Sequence, residues 1–327
     1  MAKEKLKFAF YWAASCGGCE IAVLDINEKI LDVIQIADIV FWPVAMDIKY
    51  KDVENMPDKY IDVCFFNGSI RTEEQEYMAN LLRQKSKVLV AFGSCAHEGC
   101  IPGLANLHNR KEIFQKAYLE SKSTVNPEKN VPKTKIEVKE GVLELPEFYD
   151  TVKTLDQTVE VDYYLPGCPP PVNLTIEALE AIAKNELPPK GSVLAPLKSV
   201  CDECPRKKED KKISKIYRVY EKVPEPETCL LEQGIICMGP ATRSGCGAQC
   251  LKVDMPCTGC GGPCPNSPEQ GSAMISALAS ILGLEEEKEK YSDEEVEKLI
   301  NQIKDPIGTF YMYSLPASIL RRKVMKE

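Results

Sequence analysis

The stretch that decides the fold is Val161-Asp-Tyr-Tyr-Leu-Pro-Gly-Cys168-Pro-Pro-Pro171, an apolar, β-prone run that ends in a small-residue turn carrying a cysteine. Two other stretches have the same form, Phe8 to Glu20 with its Cys-Gly-Gly-Cys turn and Val88 to Cys95 with its Gly-Ser-Cys turn. In a parallel sheet such turns share the carboxyl edge, where open α/β folds bind ligands. We therefore expect one crevice to collect Cys16, Cys19, Cys95 and Cys168. Four converging thiolates are typical of an iron–sulfur or zinc site.

The order of elements around these turns predicts an α/β fold with a parallel sheet. Strands are expected at 6–12, 36–42, 61–66, 87–92 and 161–165, alternating with helices at 20–34, from Thr72 and after Pro171. Such alternation implies crossover connections between parallel strands. The apolar stripes expected on the last two helices are Tyr77, Met78, Leu81 and Leu82, and Val172, Ile176, Leu179 and Ala183. Residues 104–160 are expected to form an insertion of loops, a short helix and a small hairpin near 136–145.

Composition restricts the class of protein. The chain has 327 residues and a net charge of −8, which argues against nucleic acid as the main partner. No apolar run approaches the ~18–20 residues that a membrane span needs. The first residues contain no secretory apolar region, so we expect a cytoplasmic protein.

Cysteine usage is the unusual feature. The chain has 15 cysteines and only 2 histidines, so its metal sites would consist almost wholly of thiolate. Reduced cytosolic thiols make a disulfide framework unlikely. The segment Glu186-Leu-Pro-Pro-Lys-Gly191 separates the alternating strands and helices from the cysteine-rich part of the chain. It suggests a boundary between domains 1–190 and 191–327.

The second domain contains nine cysteines in a Gly/Pro-rich segment with little periodicity. Such a segment cannot bury enough apolar surface to order itself, so metal ligation would have to stabilise it. Two four-sulfur sites need eight of the nine cysteines. Paired CxxC motifs also make zinc ribbons, which keeps structural zinc open as an alternative. The nine are Cys201, Cys204, Cys229, Cys237, Cys246, Cys250, Cys257, Cys260 and Cys264.

Five motifs resemble those of a known family, the small (gamma) subunits of nickel–iron hydrogenases. They are Ser15-Cys-Gly-Gly-Cys-Glu20, Gly93-Ser-Cys-Ala96, Pro166-Gly-Cys-Pro-Pro170, Cys229-Leu-Leu-Glu-Gln-Gly234 and Gly239-Pro-Ala-Thr-Arg-Ser-Gly-Cys246. The likeness is to the cytoplasmic branch, above all the methyl-viologen-reducing, deazaflavin-non-reducing hydrogenases of methanogenic archaea. It implies a flavodoxin-like parallel sheet domain followed by a ferredoxin-like, irregular iron–sulfur domain with a C-terminal helical tail.

The resemblance also implies three 4Fe–4S clusters. By the matching motifs, the proximal cluster would be held by Cys16, Cys19, Cys95 and Cys168, the distal by Cys201, Cys204, Cys229 and Cys237, and the medial by Cys246, Cys250, Cys257 and Cys260. Periplasmic members have histidine at the position of Cys201 and proline at that of Cys250. Cysteine at both positions implies that all three clusters are of the four-iron type.

The function implied is electron transfer within a hydrogenase. The CxxC motifs of this chain match cluster motifs of the family, and nothing in the sequence can form the expected nickel site, which has a pair of CxxC motifs and a diatomic-ligated iron. We therefore expect catalysis on another chain, the large subunit. By resemblance, the acceptor is a small iron–sulfur subunit linked to heterodisulfide reductase. Deazaflavin-reducing or NAD(P)-linked hydrogenases, the single-cluster subunit of respiratory complexes, and a zinc-stabilised scaffold without a redox role are the alternatives.

A few residues are left without an assigned role. Cys64 is expected in the core, Cys100 stands where the family would suggest glycine, and Cys264 competes with Cys260 as a ligand, with Cys260 favoured. Glu20 is either a first-turn acid or a group that transfers protons. The segment 306–316 is apolar without a helical face, which suggests that it docks on a partner subunit.

Overall fold

The structure is a computed structural model of the chain, and it describes residues 4–267, 269–282 and 292–323. Its strands are β1 (Leu6–Trp12), β2 (Ala37–Phe41), β3 (Ile61–Asn67), β4 (Ile70–Thr72), β5 (Ser86–Phe92), β6 (Lys135–Val138), β7 (Gly141–Glu144), β8 (Phe148–Lys153), β9 (Tyr163–Leu165) and β10 (Ser192–Val193). Its α-helices are α1 (Gly18–Leu24), α2 (Ile30–Ile36), α3 (Tyr50–Glu54), α4 (Glu73–Lys85), α5 (Ser94–Glu98), α6 (Cys100–Gly103), α7 (Arg110–Phe114), α8 (Val172–Lys184), α9 (Gln249–Lys252), α10 (Gln270–Ile281), α11 (Asp293–Ile300) and α12 (Pro306–Phe310).

The main sheet is parallel throughout, with the order β10-β9-β5-β3-β1-β2. If its first five strands are counted in chain order, they lie as 2-1-3-4-5, which is the flavodoxin-like order. The predicted fold class is therefore confirmed. In this topology the turns after β1, β5 and β9 lie at one edge of the sheet.

Both faces of the sheet are covered, as a parallel sheet requires. Side chains alternate along each strand, so that Phe66 and Leu89 pack with Met78 and Leu82 of α4 on one face. On the other face, Phe8, Phe65 and Phe92 pack with residues of α1 and α8. The sheet is therefore stabilised by apolar packing, and it holds the cysteine turns in fixed positions.

The insertion contains the predicted hairpin. Strands β6 and β7 pair antiparallel and are exposed along their whole length. Strand β8 returns to the protein and pairs with β4. The helix α7 precedes this hairpin and begins with a capping box formed by Asn109 and Glu112.

The cysteine-rich region wraps around a second apolar core, formed by residues such as Val200, Leu230, Met238 and Leu251. Its regular structure is limited to the four-residue α9 and to the short 3-10 turns Val200–Asp202, Leu231–Gln233 and Gly239–Ala241. The helix α10 completes the core through Met274 and Leu278. In the described ranges, no helix combines the length and the apolar character needed to cross a bilayer.

The predicted helix over 20–34 is wrong as a single element. The chain forms α1, then a 3-10 turn at Asn27–Lys29, then α2, and the break lies at Asn27, whose φ is 53°. A left-handed backbone conformation cannot continue a right-handed helix. Of the predicted stripe on α4, Met78, Leu81 and Leu82 are buried, while Tyr77 points outward and donates to Glu54.

The predicted face of α8 is also wrong. The buried residues are Leu174, Thr175, Ala178 and Ile182, whereas Val172 is exposed. The helix is rotated relative to the predicted stripe, because Leu174, Ala178 and Ile182 pack in the core against the sheet. The start of the helix also meets the cysteine-rich region, where Asn173 donates to the Gly245 carbonyl at 2.9 Å. Leu174 lies so close to Gly245 that a Cβ added there would come within 2.9 Å of it.

The C-terminal segment packs on its own chain, contrary to the expectation that it docks on a partner. Residues 306–310 form α12, and Phe310 and Leu315 are buried in the second core. Pro316 lies against Gly99 and Gly103, where an added Cβ would approach its ring to 2.3 and 2.2 Å. The amide of Cys100 also donates to the Tyr313 carbonyl at 2.9 Å. The sequence also predicts a helix that Ser292 and Glu295 cap and that reaches about residue 303. The helix α11 lies there, but the Glu295 side chain is outside the described residues.

Candidate metal centres

The first group of cysteines lies at the carboxyl edge of the sheet. The turns after β1, β5 and β9 carry Cys16 and Cys19, Cys95, and Cys168 respectively. The Ser94 amide donates to the Gly167 carbonyl at 2.8 Å, and the Gly167 amide donates to the Ser94 hydroxyl at 3.2 Å. These two bonds fix the turn of β5 to the turn of β9.

Gly93 lets the turn after β1, which carries Cys19, contact the end of β5. Its φ is +86°, and a Cβ at this position would lie 2.4 Å from the Cys19 Sγ. Only glycine therefore lets the Cys19 thiol approach the end of β5. Burial, followed by the neighbouring Cys168 and Cys16 thiols, raises the pKa of Cys19. Several buried, negatively charged thiolates repel one another and need a cation to stabilise them, which fits a metal cluster.

Cys100 lies in the same place, and sequence reasoning gave it no role. Its Sγ is 3.8 Å from the Cys168 Sγ, and its side chain is completely buried. It has a φ of 45°, which explains why glycine would suit this position. The spacing Cys95-x4-Cys100 at one strand end was the available signal.

The second group surrounds a cavity of 310 Å³ between the sheet edge and the cysteine-rich region. On the proximal side its wall includes Cys168 and the prolines that follow it. The remaining thiols on its wall are those of Cys246, Cys250, Cys257 and Cys260. Burial, and then the nearby Cys246 thiol, raises the pKa of Cys260 to about 11.

The third group lies around Gly239. A Cβ on this glycine would lie 3.3 Å from the Cys201 Sγ and 3.5 Å from the Cys237 Sγ. Burial raises the pKa of Cys201 to about 12, with smaller contributions from the thiols of Cys237, Cys229 and Cys204. The four predicted distal cysteines are therefore neighbours.

Cys264 is separate from the cavity of the second group. Its Sγ donates to the Pro240 carbonyl at 3.3 Å. The Cys264 thiol also makes a small contribution to the raised pKa of Cys201. Cys260, by contrast, lines the cavity. Among the described residues, no three His, Cys, Asp or Glu side chains converge tightly enough to hold a single metal ion. A four-iron cluster separates its thiolates more widely than the ~2.3 Å zinc–sulfur bonds of a single ion allow.

Two acids near these groups are buried. The Glu20 carboxylate accepts hydrogen bonds from Trp42 Nε1 and, at 3.1 Å, from Asn67 Nδ2. Glu98 in α5 lies with its Oε1 3.1 Å from His97 Nε2. Burial raises the pKa of Glu98 to about 8 and lowers the pKa of His97 to about 3. His97 thus belongs to a buried helix, and Cys64 is buried in the core as predicted.

Comparisons with known proteins agree with this arrangement. The family model described as "NADH ubiquinone oxidoreductase, 20 Kd subunit" matches residues 16–182, which include the first cysteine group but not the cysteine-rich region. The relatives below align with both the first cysteine group and the cysteine-rich region. The iron–sulfur subunit of the F420-non-reducing hydrogenase of Archaeoglobus profundus is 43% identical over 98% of this chain and 99% of its own length. The corresponding F420-non-reducing hydrogenase subunit of Methanothermobacter marburgensis is 38% identical over 99% of both chains.

The chain belongs to the small-subunit family of the nickel–iron hydrogenases. It is therefore the small subunit of an oxidoreductase whose catalytic site is on the large subunit. A solved [NiFeSe]-hydrogenase from Dm. baculatum has the same fold, with a TM-score of 0.51 and 18% identity over 80% of this chain and 95% of the other.

Proposed function

We propose that this chain relays the electrons of H2 oxidation from the large subunit, through three 4Fe–4S clusters, to an iron–sulfur acceptor subunit linked to heterodisulfide reductase. The observation that carries the proposal is the cavity of 310 Å³ lined by four cysteines, because its wall also includes Cys168 of the first group. One of the four, Cys257, donates its amide to the Cys237 sulfur of the third group. The ligands proposed for it are Cys246, Cys250, Cys257 and Cys260, and the proximal and distal ligands remain those inferred from the motifs.

Direct contacts join neighbouring groups in a row. The Ser94 hydroxyl, beside Cys95, donates to the Cys260 carbonyl at 2.5 Å. The Cys257 amide donates to the Cys237 Sγ at 3.3 Å. These contacts support the order proximal, medial, distal, because a cysteine of each group, or the residue next to it in sequence, touches the next group.

The chain's own groups would set the properties of the sites. Bound clusters would supply one-electron carriers, whose potentials depend on burial and on N–H bonds to sulfur. The amides of Cys257 and Gly18 already donate to the Cys237 and Cys16 sulfurs, the latter at 3.4 Å. The apolar second core includes the buried Cys237 and Cys257 and shields these two sulfurs from water. Both effects are features of this polypeptide.

The surface around the first group supports the position of the large subunit. Cys16 and Cys168 are exposed at the sheet edge. Next to them, Trp12, Ile21 and Leu24 expose 41%, 61% and 56% of their surface. An apolar surface around the first cysteine group is suited to burial by another chain. We therefore place the large subunit against this edge.

The acceptor and the compartment rest on the family. The relatives are named as F420-non-reducing, which favours an acceptor other than the deazaflavin coenzyme. A heterodisulfide reductase partner and a cytoplasmic location follow only from the family resemblance of the motifs. Identification of the chains that co-purify with this one would test both.

Iron analysis and low-temperature EPR of the reduced complex would test the cluster assignment. Wild-type protein should contain about 12 iron atoms per chain, from three four-iron clusters. Cys260→Ala should lose about four of them, because its thiol lines the medial cavity. Cys264→Ala is the matched control and should keep them all. A colourless, zinc-containing protein would contradict the proposal, as would equal iron loss in the two variants.

A further inference from the structure

The exposed hairpin formed by β6 and β7, which we call the arm (residues 134–145), is not explained by electron transfer. Its register pairs Ile136 with Leu143 and Glu137 with Val142. Alternation along a strand puts Ile136, Val138, Leu143 and Leu145 on one face. The opposite face carries Lys135, Glu137, Val142 and Glu144, with an ion pair of 3.1 Å between Lys135 and Glu144.

The aliphatic face is uncovered. Ile136, Val138, Leu143 and Leu145 expose 46%, 37%, 58% and 57% of their surface. A two-stranded hairpin is marginally stable in water unless its apolar face packs against another element. Exposed apolar strands of this kind are also an aggregation hazard. The arm therefore has the composition of an element that is buried by a partner.

The position of the arm indicates which surface it extends. At its base, the Glu147 carbonyl accepts from the Glu73 amide at 3.0 Å, and Arg110 pairs with the Glu147 carboxylate at 3.0 Å. The chain then enters β8, which pairs with β4. The residue before β4, Ser69, forms a bridge with Ala14 in the turn that leads to Cys16. The arm is thus connected, through β8, β4 and the bridge of Ser69 to Ala14, to the turn that carries the first cysteines.

We propose that the arm is a docking element for the large subunit and lays its aliphatic face on an apolar patch of that chain. This inference rests on the proposed position of the large subunit at the sheet edge. At that edge Trp12 and Ile21 are exposed.

Size and charge favour this occupant over a second copy. Four half-exposed aliphatic side chains offer a few hundred Å², well below the roughly 800 Å² per partner of a standard stable interface. The arm alone would not hold a dimer together, but it can enlarge an interface that already exists. The arm contains two lysines and three glutamates, Lys135, Lys139, Glu137, Glu140 and Glu144. Their sum of −1 is small, so the arm does not repel a partner as the net −8 of the whole chain would.

The test compares two neighbouring substitutions on opposite faces of the arm in the full complex. Leu143→Lys puts a charge on the aliphatic face, while Val142→Lys puts the same charge on the opposite face, beside Glu137. Both residues are about half exposed, at 58% and 50%, so neither change disturbs a core. We expect Leu143→Lys to weaken large-subunit binding at least tenfold and Val142→Lys to change it less than twofold, as measured by biolayer interferometry with tagged large subunit.

Hydrogen exchange on the wild-type complex gives a second readout. Amides of β6 and β7 should exchange slowly with the large subunit bound and at least tenfold faster in the free chain. Binding that is unchanged in both variants, or weakened equally, would overturn the proposal. Sedimentation showing that the free chain dimerises and that Leu143→Lys abolishes the dimer would overturn it in favour of a second copy.

Failure of the arm and failure of the proposed function are separable. Iron content reports the clusters independently of binding, and both arm variants should keep the wild-type iron content. If the iron content is normal and neither variant weakens large-subunit binding, only the docking role of the arm is overturned. Protein without iron that still loses the large subunit on Leu143→Lys overturns only the electron relay.

Discussion

The sheet domain and the cysteine-rich region differ in what holds them together. In the sheet, Phe8, Phe66 and Leu89 are completely buried, and every strand bonds to a parallel neighbour. Between residues 200 and 264, by contrast, the longest regular element is the four-residue α9. The sheet has an extensive apolar core, whereas the cysteine-rich region has little regular structure around its core and would gain part of its stability from the proposed clusters. The proposed relay would use both, because a rigid frame would position the first site and ligation would order the other two.

Removal of iron should give the largest effect and expose this difference. We expect a chelator under reducing conditions to speed amide exchange in residues 200–264 at least about tenfold, because metal binding supplies part of the folding free energy. Strands β1, β3 and β5 should keep their protection. Hydrogen exchange with mass spectrometry measures both regions in one sample. Chelator already saturated with iron is the control, and uniform loss of protection across the two regions would contradict the comparison.

Within the sheet domain, Asp162→Asn should be the most costly change. The Asp162 side chain is 1% exposed and accepts from Arg83 at 2.6 Å and from the Leu89 amide at 2.8 Å. Loss of one partner of a buried pair should lower the free energy of unfolding by about 3 kcal/mol. Glu180→Gln, which breaks the exposed pair with Lys184, should cost less than about 0.5 kcal/mol. Urea unfolding of the purified chain measures both, and equal costs would contradict this account.

The same pair predicts a pH dependence. Burial alone would raise the pKa of Asp162, but Arg83, Lys190 and the Leu89 amide outweigh burial and hold the pKa below its usual value. Because the folded pKa is lowered, the stabilisation is present above the unfolded value of about 4. It is lost as the pH falls through the folded pKa. The difference between wild type and Asp162→Asn should therefore shrink in urea titrations at decreasing pH and stay constant between pH 6 and 8.

A smaller effect should distinguish a glycine needed only for its backbone conformation from one that also allows a close contact. Gly93 and Gly191 both have a positive φ, +86° and +85°, but only at Gly93 would a Cβ meet a neighbour, the Cys19 Sγ. Each alanine substitution should cost about 1–2 kcal/mol through backbone strain. Gly93→Ala should in addition lose the proximal iron, seen as one missing EPR signal, while Gly191→Ala keeps it. Full iron in both variants would show that the close approach is dispensable.

The smallest expected effect lies far from the cysteines. Thr72 accepts from the Gln75 amide and caps α4. Thr72→Ala should lower the free energy of unfolding by about 1 kcal/mol. Tyr77→Phe, on the exposed side of the same helix, should cost less than about 0.5 kcal/mol. Neither variant should alter the iron content, and a loss of iron in Thr72→Ala would mean that the two regions are coupled more tightly than their cores suggest.

Sequence reasoning was most successful where local pattern and fold agree. The runs ending at Trp12, Phe92 and Leu165 were predicted as strands because apolar β-prone residues stop at small-residue turns, and parallel pairing then places their cysteines together. It failed where tertiary contacts decide. The side of α8 that carries Leu174, Ala178 and Ile182 packs against the sheet, and the rotation of the helix that puts this side there cannot be read from apolar spacing alone.

Two further differences have the same physical origin. The break at Asn27 depends on a single left-handed residue, and asparagine gives only a weak signal for that conformation. The position of Cys100 beside Cys168 depends on the turn between α5 and α6, where sequence distance gives no measure of the 3.8 Å between their sulfurs. The ligand grouping of the cysteine-rich region came from motif resemblance, because loops without periodicity carry no geometric signal.

The seating of Pro316 on Gly99 and Gly103 has a consequence for how the protein is made. The turn that follows Cys95 is packed by residues near the far end of the chain, and the Cys100 amide bonds to Tyr313. A ribosome must therefore finish nearly the whole polypeptide before the neighbourhood of Cys95 can take its final form. A transcript cut short before codon 313 would yield a protein whose earliest strands are complete but whose proposed entry point for electrons is not.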